Sequence, residues 1–283
     1  MSPLFLMIDA GKKAGSEEEE FKMEVKLLSQ DKAKVKVVVK GSTAAELNAY
    51  RRTIVNKVLA MAIDTVEIVQ NSSALYDEML AHRLGLVVLK TDAESYFARA
   101  ECKCKGVGCA RCTLDLTLDV QGPGIVYAEQ IKSKDPAVVP VYGKTPIAKL
   151  LEGQHIKLTA QAILAPGKEH IKFSPGLMYY QGFPQIKIGA GVKNADAIAE
   201  ICPTGVFESK DKKLKVKNTE ACVLCMACVD ASKGEVEVKG SDTDFIVTIE
   251  PWGQLSPIQM VEGLVDALHK DLDALGEEIK KIK

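Results

Sequence analysis

The chain has 283 residues, 47% hydrophobic and 27% charged, with a formal net charge of −1. That length suits two or three domains with a sizeable core, and the composition is that of a globular chain. A stand-alone nucleic-acid binder needs a basic excess to neutralise phosphate and a membrane-spanning chain needs a run of about 18 apolar residues; the sequence offers neither.

The opening Met1-Ser-Pro-Leu-Phe-Leu-Met-Ile is apolar but too short for a signal core, and it has no basic flank. The chain is therefore expected in the cytoplasm, where thiols serve as metal ligands more often than as disulfides. Residues 1–21 hold Gly11-Lys-Lys-Ala-Gly and the acidic run Glu17–Glu20, which predicts a disordered tail. Met23, just beyond it, is a second candidate start.

Strands are expected at Met23–Leu28 and Lys34–Val39. Thr43-Ala-Ala-Glu46 is a capping box, in which hydroxyl and carboxylate satisfy free N–H groups at a helix start. The helix is predicted to run to about Met61, with Leu47, Ile54, Val58 and Met61 on one face. A strand is expected around Thr65–Val69, ending at Gln70-Asn-Ser-Ser. From about 72 to 188, short alternating runs such as Leu114–Val120 and Ile156–Ile163, broken by Gly and Pro, predict a mostly β insert. A strand is expected at Phe245–Ile249, and Pro257 is well placed to open a long final helix. In that helix Ile258, Val261, Val265, Leu268, Leu272, Leu275 and Ile279 step 3-4-3-4-3-4, an a/d seam. The seam either packs on its own domain or receives a second subunit.

The eight cysteines fall into two groups. Cys102, Cys104, Cys109 and Cys112 lie within eleven residues, with two glycines between the pairs. Four such thiolates can wrap one zinc in a closed structural site; idle thiols or disulfides are the alternative. Cys222-Val-Leu-Cys225-Met-Ala-Cys228 has the C-x2-C-x2-C run of bacterial-type ferredoxins, and Cys202-Pro203 offers the fourth thiolate. This set predicts one iron–sulfur cluster, 4Fe-4S with 3Fe-4S as an isolated form; a zinc site is the alternative. A second cluster is not expected, because Ser232 stands where its cysteine would be.

The four histidines (His82, His155, His170, His269) form no triad or metal pattern, and there is no Walker loop or G-x-G-x-x-G. No aspartates cluster in the way that holds catalytic magnesium. The Lys210–Lys217 stretch alternates with apolar residues and is expected to be a solvated strand or hairpin face rather than a nucleic-acid site. No catalytic residue is predicted.

Several segments together resemble a known family. Leu47-Asn-Ala-Tyr-Arg-Arg52 resembles the N-x-x-R-R helix of alpha-type RNA polymerase subunits, and Asn71–Leu86 carries a D-E-x-L-A-H-R-L core. Asp135-Pro-Ala-Val-Val-Pro140 and Gly167-Lys-Glu-His-Ile-Lys-Phe173 are similar to blocks of the archaeal, D-type version of these alpha-like chains. The likeness runs from about Met23 to the end; eukaryotic third-largest subunits resemble it too, with a zinc loop like Cys102–Cys112. The resemblance implies an α+β chain. A split dimerisation domain covers 22–70 and 241–283, a mostly β insert with the cysteine loop 71–188, and a ferredoxin-like iron–sulfur insert 189–240. It implies a scaffold that pairs with a small subunit L through the terminal seam and assembles with subunits N and P and with the large, B-type chain. Asn48, Arg51 and Arg52 then lie near the large subunits, and the chain binds no DNA directly. A ferredoxin-type electron carrier is the alternative function.

Overall fold

The structure is a computed structural model and describes residues 23–31 and 34–282. The expected tail, 1–21, lies outside them. In chain order the strands and helices are β1 (Glu24–Gln30), β2 (Val35–Lys40), α1 (Ala44–Asn56), β3 (Leu59–Asn71) and α2 (Asp77–Gly85). Next come β4 (Leu114–Gln121), β5 (Gly124–Tyr127), β6 (Lys132–Ser133), β7 (Pro146–Leu150), β8 (His155–Pro166) and β9 (Gly176–Ile188). The chain ends with α3 (Ala195–Ile201), β10 (Phe207–Lys210), β11 (Lys213–Val216), α4 (Ala227–Ala231), β12 (Val236–Pro251) and α5 (Pro257–Lys281). Among the described residues no helix is long and apolar enough to cross a membrane.

The first sheet has the order β1-β2-β12-β9. Helices α1 and α5 cover one face, where Leu47, Ile54 and Val58 meet Met178, Phe245, Val247, Met260 and Leu264. Each such side chain removed from water stabilises the fold by roughly 1.5–3 kcal/mol. The Thr43 box caps α1 as its sequence predicts, with Thr43 Oγ1 accepting from Glu46 N–H and the Glu46 carboxylate accepting from Thr43 N–H. A second box, Ser256 with Gln259, starts α5, and Pro257 stands in its first turn.

The predicted first helix runs too far. It ends at Asn56, and Leu59–Ile63 already belong to β3. Val58 stays on the α1 face, but Met61 enters a different core. Ala60, Met61, Ala62 and Ile63 are all buried, because apolar groups cover both faces of this strand. A strand buried on both sides loses its alternation, so its sequence reads as a continuing helix.

The second sheet has the order β3-β8-β4-β6, with β5 and β7 as a separate pair. Its core packs Leu80 and Leu84 of α2 against Leu114, Leu116, Ile147 and Leu158. Two strands join the sheet of the other expected domain. Leu59–Asn71 pairs with β8 in the insert sheet, and Gly176–Ile188 pairs with β12 in the first sheet. A small third core gathers Ala195, Ile198, Val206, Phe207, Leu214, Val236 and Val238 with Cys222 and Cys228. Of the strand and the hairpin expected around Lys210–Lys217, the chain forms the hairpin, β10–β11, turning at Asp211 and Lys212 in the left-handed region.

Candidate metal centres

The first cysteine group follows a short turn, Arg99–Glu101. Its four Sγ atoms all lie within 4.8 Å of one another. Cys104 stands 3.4 Å from Cys102 and 3.5 Å from Cys112; Cys109 stands 3.6 Å from Cys102 and 3.8 Å from Cys112. A zinc tetrahedron with Zn–S near 2.3 Å has edges of about 3.8 Å. All four are free thiols, far beyond the disulfide length of about 2.05 Å. The loop closes because Lys105, Gly106 and Gly108 take positive φ, a conformation glycine adopts without strain. Its amides then face the sulfurs: Cys109 N–H donates to Cys112 Sγ at 3.3 Å.

As bare thiols these groups hold their protons unevenly. The Gly108 N–H, helped by Cys102, pulls Cys104 down to about 6, while burial pushes Cys112 up to about 12. Cys102 and Cys112 are buried and the other two half-buried. This set can hold one metal ion with every position filled by protein, the pattern of a structural site.

The second group is looser. Among the described residues only the first group brings all its ligand atoms within 4.8 Å. Wider spacing suits a cubane, whose four thiolates bind four different irons rather than one ion. Cys202, at the end of α3, and Cys222 and Cys228 join the third core, while Cys225 is exposed. Burial pushes Cys222 upward against the Leu224 N–H that pulls it down, and the charges of Cys225 and Cys202 add to the rise. Burial opposes ionisation of Cys202, but the N–H groups of Val206 and Thr204 outweigh it and hold that thiol low. Leu224 and Met226, on either side of Cys225, take φ of 55° and 63°. Such residues cost roughly 1–3 kcal/mol each and cluster where a loop must wrap a site. The donor set fits an iron–sulfur cluster. Ser232 binds Val229 C=O and Val236 N–H, so it is a structural hydroxyl.

The family-like blocks make structural contacts. Asn71 Nδ2 donates to Asp77 Oδ1 at 2.8 Å and to Leu75 O at 2.9 Å, fixing the entry to α2. Arg83 donates to the carbonyls of Ile147 and Pro146, clamping α2 to β7. Asp135 accepts from Ala137 N–H and from the Tyr96 hydroxyl, each at 2.8 Å. Gly167 passes so close to the end of α1 that a Cβ there would lie 2.0 Å from Val55 O. His82 and His170, distant in sequence, line one shallow depression with Asp64 and Lys172, which pair at 3.2 Å. Composition and spacing hold no signal for that convergence. On α1, Arg51 donates to Asn48 Oδ1, and Arg52 is exposed.

On α5, Met260 and Leu264 are buried in the first core and Leu268 packs against it. Ile258, Val261, Val265, Leu272, Leu275 and Ile279 stay exposed, Leu272 to 64%. The helix thus packs on its own domain through Met260, Leu264 and Leu268, of which only Leu268 belongs to the predicted seam, and presents the other six seam residues outward.

The profile of the RNA polymerase Rpb3/RpoA insert domain matches residues 62–178. The chain is 33% identical to DNA-directed RNA polymerase subunit Rpo3 of Archaeoglobus fulgidus over 261 residues, 92% of this chain and 99% of that one. It is 34% identical to the Rpo3 of Pyrococcus horikoshii over 262 residues (92% and 99%) and 32% identical to that of Methanosarcina acetivorans over 268 residues (89% and 99%). With the likeness running along almost the whole length and the insert matched by its own profile, the chain belongs to the Rpo3 family of DNA-directed RNA polymerase subunits.

Proposed function

We propose that this chain is the non-catalytic scaffold on which a DNA-directed RNA polymerase assembles. The carrying observation is the exposed seam of α5, an apolar stripe too long to stand in water without a partner. A small alpha-like subunit L is its occupant, pairing through β1, β2, β12 and α5; subunits N and P and the large, B-type chain then join. Asn48, Arg51 and Arg52 contribute to the large-subunit contact. Polymerases work on genomic DNA, which is consistent with the expected cytoplasmic location. Nucleotidyl transfer itself belongs to other subunits, in line with the lack of clustered aspartates in the sequence.

Cys102, Cys104, Cys109 and Cys112 hold one structural zinc; Cys202, Cys222, Cys225 and Cys228 hold one 4Fe-4S cluster. The short edges of the first group and the wider, strained wrap of the second support this division. The electron-carrier alternative finds no support, since the relatives that span 92% of the chain are polymerase subunits. Co-expression with subunit L is expected to raise soluble yield and give a one-to-one pair, which then captures the large subunits. A chain that stays soluble and alone beside subunit L would overturn the reading.

A further inference from the structure

The unit that carries the second cysteine group hangs on a two-stranded ribbon. β9 and β12 pair from Gly176↔Pro251 to Gly182↔Phe245, break, and resume from Pro184↔Gly240 to Ile188↔Val236. At the break, residues 241–244 of β12 stand opposite Phe183 alone. Two glycines meet there: a Cβ on Gly182 would lie 3.0 Å from Gly240 Cα and 2.7 Å from Ser241 O. A bulge bends its strand and interrupts the ladder, so the direct β9–β12 pairing is broken between the first sheet and the unit.

The ligand loop reaches back across that point. Gln181, on the sheet side of the break, donates its Nε2 to the carbonyl of Cys222 at 2.7 Å. Leu224 Cδ1 lies over Gly240, 3.4 Å from where a Cβ would stand. Gln181 is half-buried on a strand, paired with Ile246, so its backbone is fixed by the sheet. Its partner is the main chain of a ligand cysteine, two residues before the left-handed Leu224. Strained backbone persists only where its surroundings hold it, and the Gln181 amide is such a hold.

We propose that Gln181 is a positioning residue for the iron–sulfur centre: by holding the Cys222 carbonyl it keeps the ligand loop closed against the sheet and slows the loss of iron. The inference rests on the cluster reading above. The test uses the full chain, reconstituted without oxygen from iron and sulfide. Gln181→Met keeps the length and removes the donor, Gln181→Glu replaces the donor with an acceptor, and Gln181→Lys restores a donor.

All four proteins are expected to bind the same iron. In air the Met and Glu variants should lose their visible absorbance about five-fold faster, as expected for one partly buried hydrogen bond. After one-electron reduction with dithionite, their cluster's paramagnetic resonance line shape should shift, and the Lys variant should recover both readouts. Equal loss rates and unchanged line shapes in Gln181→Met and Gln181→Glu would overturn the role of Gln181 and leave the cluster standing. A wild-type chain that takes up neither iron nor sulfide would overturn the cluster reading and this inference together.

Discussion

Lys270 Nζ lies 3.1 and 3.2 Å from the two carboxylate oxygens of Glu101, joining α5 to the residue before the first cysteine. The seam helix and the first cysteine loop, far apart in sequence, are thus neighbours. Both side chains are largely in water, where such a pair contributes about 0–1 kcal/mol. Lys270→Ala should therefore leave the melting temperature nearly unchanged. A loss of more than about 2 kcal/mol in denaturant unfolding would mean that the contact does more than an exposed pair can.

The seam makes a sharper prediction. Leu272→Asp with Leu275→Asp changes two residues that are exposed on this chain, so the chain should fold as before. Pairing with subunit L should disappear, because unpaired charges in an apolar interface cost roughly 3 kcal/mol or more. Leu268 is a poorer target, since it also packs against the first core. Gel filtration of co-expressed proteins reads the outcome, and a surviving one-to-one pair would remove the seam from the interface.

Gly167→Ala should destabilise the chain by roughly 1–3 kcal/mol, the usual range for forced overpacking. The added methyl would stand 2.0 Å from a backbone oxygen of α1, and backbone yields less easily than a side-chain tip. Neighbouring Lys168 N–H, which donates to Asn56 O at 2.9 Å, would lose its alignment. An unchanged unfolding midpoint would show that the turn has room to shift.

The first cysteine loop should carry one zinc when Cys222, Cys225 and Cys228 are replaced by Ser. Adding Cys112→Ser should release it and loosen residues 99–113, because metal binding supplies folding energy to a loop this small. Elemental analysis under reducing conditions decides the matter; protein without zinc points to idle thiols.

Cys225→Ser should remove the cluster and raise amide exchange across residues 219–232. The third core has seven apolar members besides its two cysteines, so the β10–β11 hairpin should keep part of its protection. The first sheet shares none of those ligands and should still bind subunit L. Reconstitution with the large subunits tests the remainder: a full yield from cluster-free protein would deny the cluster any part in assembly.

Local features were legible in the sequence. The Thr43 box, Pro257, the hairpin around Asp211 and the 3-4 spacing of α5 depend on neighbours a few residues apart. Four cysteines within eleven residues also have little freedom to separate. What escaped depends on distant pairing. The start of β3 is buried on both faces because residues remote in sequence cover it, Leu80 and Leu84 among those around Met61 and Ile63, and Ile163 and Phe173 around Ala62. The exchange of β3 and β9 between sheets, the closeness of Gly167 to α1 and the reach of Gln181 to Cys222 have the same origin. Even where a residue sits in a family block, as Gly167 does, its contact leaves no period in the sequence, because it is set by where two remote backbones meet.

The interleaving of the sheets also sets a timetable for synthesis. β2 leaves the ribosome early, but its neighbour β12 begins at Val236. At about 5–20 residues per second, roughly two hundred residues separate them by about ten to forty seconds. Throughout that interval β2 lacks its inner neighbour and α1 lacks α5 beside it, while the insert sheets, built from the consecutive strands β3 to β8, can already close. The face proposed for a partner is therefore completed only after the insert, once both β12 and α5 have been made.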